Sequence, residues 1–347
     1  DGNVILQAEG TQFKVHRGIL AESSSVFKDM FGFPQPPEAY TEVVEGCPVV
    51  RVSDSAQDMK IVLQAIFQMK YVTGGDGLSL TVLSAFVTLG GKYDIRRLHM
   101  EGKRKLYQEF PTVLQEMDLI KSWSFVQTDK DHSTWIHLAQ LARKERLLLI
   151  LPYLLYRCIF YYSAMELLGG ILNEDGSRSR LAAEDQLVCL AAHRPVFLAQ
   201  AGTTFEWIYD LDTLSSKCIN PATCDNFRLR LLVSFLPVPS VAGLTSWHAD
   251  IYTEDLCTHC AEVAERRHEE GRQKFWEELP GLFGLPPWSE LKEEEPLYVC
   301  LIRCPLLSNV SFSAIKILER RGDSGCASVC TQIHRPTAHG TLCHVVL

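Results

Sequence analysis

The sequence lacks an apolar run long enough to cross a bilayer, which takes about 20 residues. The one stretch that suggests a membrane span, LLLILPYLLY at Leu147–Tyr156, is ten residues long. Extending it to Ala164 would place Arg157 near mid-span at a cost of roughly 2.5–3.5 kcal/mol, and Pro152 would interrupt the helix. We therefore predict a buried helix here and no membrane partner.

Cysteine is nearly absent from the first 150 residues, where Cys47 is the only one of the 12 cysteines in the chain. The scattered distribution favours a reducing compartment over a secreted domain held together by disulfides. A charged leader followed by an apolar segment is also missing before the first strand pattern. We expect an intracellular protein, cytoplasmic or nuclear.

A basic stripe is missing as well. The chain has 34 Lys and Arg against 42 Asp and Glu, a net charge of −8. Phosphate neutralisation needs clustered cations, so we expect no nucleic-acid partner. A transcription-linked regulator that acts through partners stays as an alternative, although the sequence has neither a two-Cys, two-His finger nor a basic helix.

Catalytic motifs are incomplete wherever they begin. The segment His268–Arg272 starts like the helix of a zinc protease but has Arg272 where the second histidine must stand. Gly90–Tyr93 lacks the earlier glycine and the Ser or Thr of a phosphate loop. Gly322–Gly325 resembles a protease serine motif without the surrounding β-barrel strands. We predict that the chain is not an enzyme and has no small-molecule substrate.

Hydrophobic residues make up 46% of the 347 residues, enough to form large hydrophobic cores. The length suggests two or three domains. Asn3–Ala8 and Thr11–His16 are short β-rich runs joined by Glu9-Gly10, where we expect the glycine to supply the positive φ of a hairpin turn. Val49–Val52 predicts another strand. Apolar residues at helical spacing predict helices around Val26–Phe31, from Ser55 to Tyr71, around Val82–Tyr93 and from Arg96 to Phe110.

The order of these elements and the residues themselves resemble the BTB/POZ family, particularly its many-membered version in mushroom-forming (agaricomycete) fungi. The resemblance implies a small sheet backed by a helical cluster that binds other proteins. It rests on the following stretches, which occur in the family's order: DGNVILQAEGTQFKVHRGIL (Asp1–Leu20), SSVFKDMF (Ser24–Phe31), EGCPVVRVSDS (Glu45–Ser55), AIFQMKYV (Ala65–Val72) and LGGKYDIRRL (Leu89–Leu98).

The resemblance implies self-association or a cullin scaffold as the protein partner, because members of the family dimerise or dock on cullin-type ubiquitin ligases. The extra N-terminal strand and helix that many dimerising members exchange would precede the first hairpin strand, so we expect no such exchange here. The hydrophobic-x-acidic signature of cullin binders should follow Phe31, and Tyr40-Thr41-Glu42 fits it within a proline-rich segment interpreted as an exposed loop. We rank a non-catalytic adaptor or scaffold first and a substrate adaptor of a cullin-based ubiquitin ligase second.

Residues beyond Thr112 show helical patterning as far as Leu291, and two more stretches, Ala139–Cys158 and Glu270–Trp288, resemble the same fungal family. After the charge run at Lys292–Glu295, five cysteines and three histidines follow at no familiar spacing. We interpret this part as an unassigned tail, with a second metal site as the alternative. The sequence therefore predicts an α+β fold with a BTB/POZ domain at 1–112, a mainly α-helical domain at 113–291, and a linker and tail at 292–347.

Two close cysteine pairs in the helical region could bind a metal. Cys218 and Cys224 are separated by five residues, and Cys257 and Cys260 by two. Two pairs of thiolates can complete a four-sulfur structural zinc site, for which His259 or His268 could substitute one ligand. Buried inert cysteines are an equally open interpretation, and a redox Cys-x-x-Cys is a third. A site closed by four protein ligands would leave no position for catalysis.

Overall fold

The computed structural model describes residues 2–33, 42–71, 78–123, 132–173, 176–210, 212–236 and 239–291. Its first part is built on a mixed four-stranded sheet in the order β2-β1-β4-β3. Strand β1 pairs antiparallel with β2, Val4 opposite Val15, and parallel with β4, Ile5 opposite Val49. The strands are β1 (Val4–Ala8), β2 (Thr11–Val15), β3 (Val43–Val44) and β4 (Cys47–Val52).

The hairpin at Glu9-Gly10 forms as predicted, but the positive φ lies on Glu9, at 50°, and not on Gly10. The side chain of Glu9 gives a reason for this placement. Its Oε2 accepts a hydrogen bond of 3.1 Å from the backbone N–H of Ala56, which is one of the unpaired donors at the start of a helix. The turn therefore supports the sheet and the following helix together.

Five helices belong to this part of the chain: α1 (Arg17–Ser23), α2 (Ser25–Gly32), α3 (Ala56–Gln68), α4 (Leu80–Lys92) and α5 (Arg96–Glu109). Ser55 caps α3 by accepting the N–H of Asp58 at 3.0 Å, as its position in the sequence predicts. Helices α4 and α5 approach closely at two glycines. A Cβ at Gly90 would lie 2.7 Å from the backbone nitrogen of His99, and one at Gly102 would lie 2.7 Å from Val87 Cγ2.

The remainder of the described chain is mainly helical: α6 (Leu114–Asp118), α7 (Thr134–Lys144), α8 (Leu151–Tyr161), α9 (Ala164–Gly169), α10 (Ala183–Gly202), α11 (Glu206–Tyr209), α12 (Pro221–Ser234), α13 (Ala249–Tyr252) and α14 (Thr258–Leu282). A two-residue strand pair, β5 (Ile171–Leu172) and β6 (Arg178–Ser179), interrupts them. Because each strand is so short, the sequence pattern did not indicate it.

The apolar stretch LLLILPYLLY is mostly buried, but only its second part, from Leu151 onwards, is helical. Helix α8 begins at Leu151 and takes the proline in its first turn, where the missing N–H would be unpaired in any case. Leu154, Leu155 and Cys158 are buried within the protein. Among the helices of the described residues, none has both the length and the apolar character that crossing a membrane requires.

Two hydrophobic clusters hold these elements together. The large one runs continuously from the sheet through α3–α5 to α8, α10 and α14. The smaller one, which we call the second core, lies between α11, α12 and α14 and contains Phe205, Trp207 and Tyr252. The indole N–H of Trp276 in α14 donates to the carbonyl of Thr112 at 3.0 Å, so the large cluster crosses position 112. The domain boundaries stay a prediction.

Candidate functional site

Four cysteine side chains from two parts of the sequence meet at the edge of the second core: Cys218, Cys224, Cys257 and Cys260. Their Sγ atoms all lie within 4.8 Å of one another, and the Sγ atoms of Cys218 and Cys257 are 3.8 Å apart. Cys224 and Cys260 are buried, while the other two are partly buried. The structure thus brings together all four cysteines that the spacing had selected.

A turn and the start of a helix place the first pair. Cys218 closes a turn, since its N–H donates to the carbonyl of Ser215 at 3.0 Å. Pro221 then begins α12, because its fixed φ suits a first helical position. Cys224 lies in the first turn of that helix, and its N–H donates to the Asn220 carbonyl at 3.1 Å. The five-residue spacing is therefore a turn followed by a helix start.

The second pair occupies the start of α14. Cys257 is the N-cap residue and Cys260 lies three positions later, so both thiols project from the same helix terminus. Unpaired backbone N–H groups and the positive end of the helix dipole favour thiolates at such a position. The N–H of Cys257 also donates to Cys224 Sγ at 3.3 Å, which links the two pairs directly.

The four thiols differ in their electrostatic surroundings. Backbone hydrogen bonds from Ile219 and, secondarily, from Cys260 lower the pKa of the Cys257 thiol to about 6. Burial raises the pKa of the Cys224 and Cys260 thiols above the usual value. One sulfur thus carries a negative charge near neutral pH, beside thiols that hold their protons unless a cation stabilises their anions.

The two histidines that could replace a cysteine ligand are not part of this group. His268 is fully buried, and its Nε2 lies 2.8 Å from the Thr245 carbonyl while its Nδ1 lies 3.4 Å from the indole nitrogen of Trp207. Arg272, which stands where a protease helix would need its second histidine, pairs with Asp118 at 2.7 Å. The segment His268–Arg272 is therefore part of the packing of α14.

The sequence analysis did not predict the aromatic residues that surround His268. The rings of Phe205, Trp247 and Tyr252 lie 5.4 to 5.5 Å from the His268 ring. They come from separate short elements and follow no common period, so local patterning could not group them. The density of Trp, Tyr and Phe between positions 205 and 252 was the available signal.

The N-terminal segment presents the second candidate surface. Tyr40 and Thr41 of the cullin-type signature lie outside the described residues, and Glu42 forms an exposed ion pair of 2.7 Å with Arg51. The described part of residues 2–109 has four exposed large apolar side chains: Ile19, Phe33, Val43 and Met69.

Residues 2–109 thus form a small mixed sheet packed with helices. Comparison with known families identifies this architecture, because residues 2–109 match the model of the BTB/POZ domain. The chain therefore has an N-terminal BTB/POZ domain, which is a non-catalytic protein–protein interaction module, followed by a helical region. No curated protein gives a significant match to the chain.

Proposed function

We propose that the chain is a non-catalytic adaptor or scaffold that associates, through its BTB/POZ domain, with other proteins, including copies of itself. The observation that carries this proposal is the match of residues 2–109 to this interaction module. The buried stripes of its strands and helices lie in one cluster, so the segment has the rigid core that a docking surface needs.

The first two helices supply the apolar contact in this proposal. The side chain of Phe33 at the end of α2 is 68% exposed, and Ile19 in α1 is 44% exposed. Burying such side chains against a partner is favourable by about 25 cal/mol per Å² of apolar surface. The guanidinium of Arg17 in α1 lies 5.1 Å from the ring centre of Phe31 in α2, a contact that joins the two helices.

Light scattering on the full chain tests self-association. We expect a dimer or larger oligomer that the double variant Ile19→Asp/Phe33→Asp reduces to a monomer, since both charges would have to be desolvated at the interface. The matched control, Met165→Asp/Leu172→Asp, changes side chains of α9 and β5 that are 76% and 62% exposed and should leave the oligomer intact. A wild-type chain that stays monomeric across the concentration range would overturn the self-association proposal.

A substrate adaptor of a cullin-based ubiquitin ligase is the second proposal, supported by the fit of Tyr40-Thr41-Glu42 to the hydrophobic-x-acidic signature. Affinity purification of the full chain with mass spectrometry separates the two. Recovery of a cullin that is lost in the variant Tyr40→Ala/Glu42→Ala favours the ligase adaptor, and recovery of the chain alone favours the scaffold. We further propose an intracellular location, cytoplasmic or nuclear, supported by the BTB/POZ domain and the scattered cysteines.

A further inference from the structure

We propose that Cys218, Cys224, Cys257 and Cys260 bind one zinc ion in a closed, tetrahedral, structural site that joins α12 to α14. This site lies outside the BTB/POZ domain and does not depend on the function proposed for that domain. The inference rests on the geometry of the sulfur atoms, on the backbone around them and on the small core beneath them.

The sulfur positions suit a zinc ion. Zn–S bonds are about 2.3 Å long, and in a tetrahedron this places the sulfurs about 3.8 Å from one another. The Sγ atoms of Cys218 and Cys257 are 3.8 Å apart, and no pair among the four exceeds 4.8 Å. A disulfide would need about 2.05 Å between two sulfurs and would use two of the four side chains.

The backbone around the sulfurs supports charged thiolates. Cys257 and Cys260 lie at the N-terminus of a 25-residue helix, whose dipole offsets part of the negative charge. Cys224 Sγ accepts the N–H of Cys257 at 3.3 Å. Four thiolates around one divalent cation leave an excess negative charge. The helix dipole and the N–H of Cys257 reduce the free-energy cost of that charge. The hard cations Mg²⁺ and Ca²⁺ prefer oxygen ligands, so a set of four sulfurs selects zinc or iron.

The second core explains what the ion would do. Helix α12 buries Cys224, Phe227 and Arg228, and Leu231 and Leu232 pack half-buried against the second core. Eight buried hydrophobic residues form that core among the described residues, and units with so small a core often depend on a metal. Cys224 and Cys257 are 33 positions apart, and a shared ion would hold the start of α12 against the start of α14. Free energy of zinc binding would thereby become free energy of folding for this part of the chain.

Metal analysis of the full chain is the direct test. We expect one zinc ion per chain after purification, and, after replacement by Co²⁺, the visible absorption bands of tetrahedral cobalt with thiolate charge-transfer bands in the near ultraviolet. Folded protein that carries no metal when zinc is supplied would overturn the proposal. Bound iron in place of zinc, or a Cys257–Cys260 disulfide found by mass spectrometry in protein purified under reducing conditions, would overturn it too.

Variants locate the ion. Cys257→Ser/Cys260→Ser should abolish binding, while the matched control Cys47→Ser, at a cysteine that is buried in β4, should keep the full zinc content. A second control replaces the tail cysteines by serine, since they could bind zinc themselves: Cys300, Cys304, Cys326, Cys330 and Cys343. Zinc that is retained by the Cys257/Cys260 variant and lost from the tail variant would contradict the assignment.

Chelation of the wild-type chain keeps the proposal testable if the cysteine variant fails to fold. Removing the metal at neutral pH should accelerate amide hydrogen exchange in α12 and in the first turns of α14, and adding Zn²⁺ should restore protection. Exchange in α3–α5 should not change, because those helices belong to the large cluster. Exchange in α12 and α14 that is unaffected by chelation would show that the ion does not hold these helices together.

Discussion

His268 is a buried histidine whose two ring nitrogens both have partners. The Thr245 carbonyl only accepts hydrogen bonds, so the Nε2 atom 2.8 Å away must carry the proton. Nδ1 is then free to accept the indole N–H of Trp207 at 3.4 Å. A single neutral tautomer satisfies both contacts, whereas protonation would set a second N–H against that of Trp207.

This arrangement predicts a loss of stability in mild acid. Burial lowers the pKa of His268 below its usual value; the hydrogen bond to the Thr245 backbone and the charge of Glu269 oppose the shift, and Arg272 and His248 add to it. Above about pH 6.5, the value for a histidine in the unfolded chain, the ring is neutral in both states and its contribution to stability is complete. As the pH falls below this value the unfolded state binds the proton first, so the free energy of unfolding decreases by at most about 1.4 kcal/mol per pH unit until the folded pKa is reached.

Denaturant unfolding of the wild type and of His268→Gln, each at pH 7.5 and 5.5, measures this effect. The variant should show a smaller loss between the two pH values, whatever its absolute stability, because the glutamine does not titrate. Equal pH dependence in the two proteins would contradict the prediction.

The sequence predicted the spatial neighbours of some residues and not those of others, for a physical reason. The four cysteines that the spacing grouped lie close together, because spacing along a chain reflects local backbone geometry, and their binding of zinc stays a prediction. His268 was considered as a substitute ligand, but its partners Trp207 and Thr245 are distant in the sequence. Contacts of this kind arise from tertiary packing, which one sequence does not encode in any local pattern.

The close approach of helices α4 and α5 depends on a residue without a side chain. A Cβ at Gly90 would lie 2.7 Å from the backbone nitrogen and 2.9 Å from the Cα of His99, and neither atom can rotate away. Gly90→Ala should therefore lower the free energy of unfolding by about 1–3 kcal/mol, the usual cost of overpacking. Thermal and denaturant unfolding of the full chain measure the change.

A second helical glycine provides the matched control. A Cβ at Gly18 in α1 meets no atom within 4 Å, so Gly18→Ala should raise the free energy of unfolding by about 0.4–1 kcal/mol through the reduced entropy of the unfolded chain. If Gly90→Ala proved as stable as Gly18→Ala, the two helices would not be in the close contact described here.

The elements themselves were predictable wherever their signals are local. The hairpin β1–β2 and the cap Ser55 of α3 were both expected from a few neighbouring residues, and the structure confirms them. The parallel pairing of β1 with β4 was not predicted, because it joins segments about 45 residues apart. The division of the chain at position 112 and the fungal version of the family stay predictions.

Aromatic side chains connect Phe110, which directly follows the residues matched to the BTB/POZ domain, to the helical region. The Phe110 ring lies 6.2 Å from Trp135 and 6.1 Å from Tyr153, and Tyr153 lies 6.0 Å from Trp276. Trp276 is 2% exposed and also donates its indole N–H to Thr112. Since aromatic side chains bury large areas, this junction couples the stability of the two regions.

Trp276→Ala should therefore destabilise both sides of the junction, although the residue belongs to α14. We expect a loss of about 3–5 kcal/mol, as for other large-to-small changes in a core, and faster amide hydrogen exchange in α4 and α5 as well as in α14. Trp247→Ala is the matched control, because that ring packs in the second core, and it should leave exchange in α4 and α5 unchanged. If Trp276→Ala had no effect on α4 and α5, the BTB/POZ domain would be folding independently of the helices that follow it.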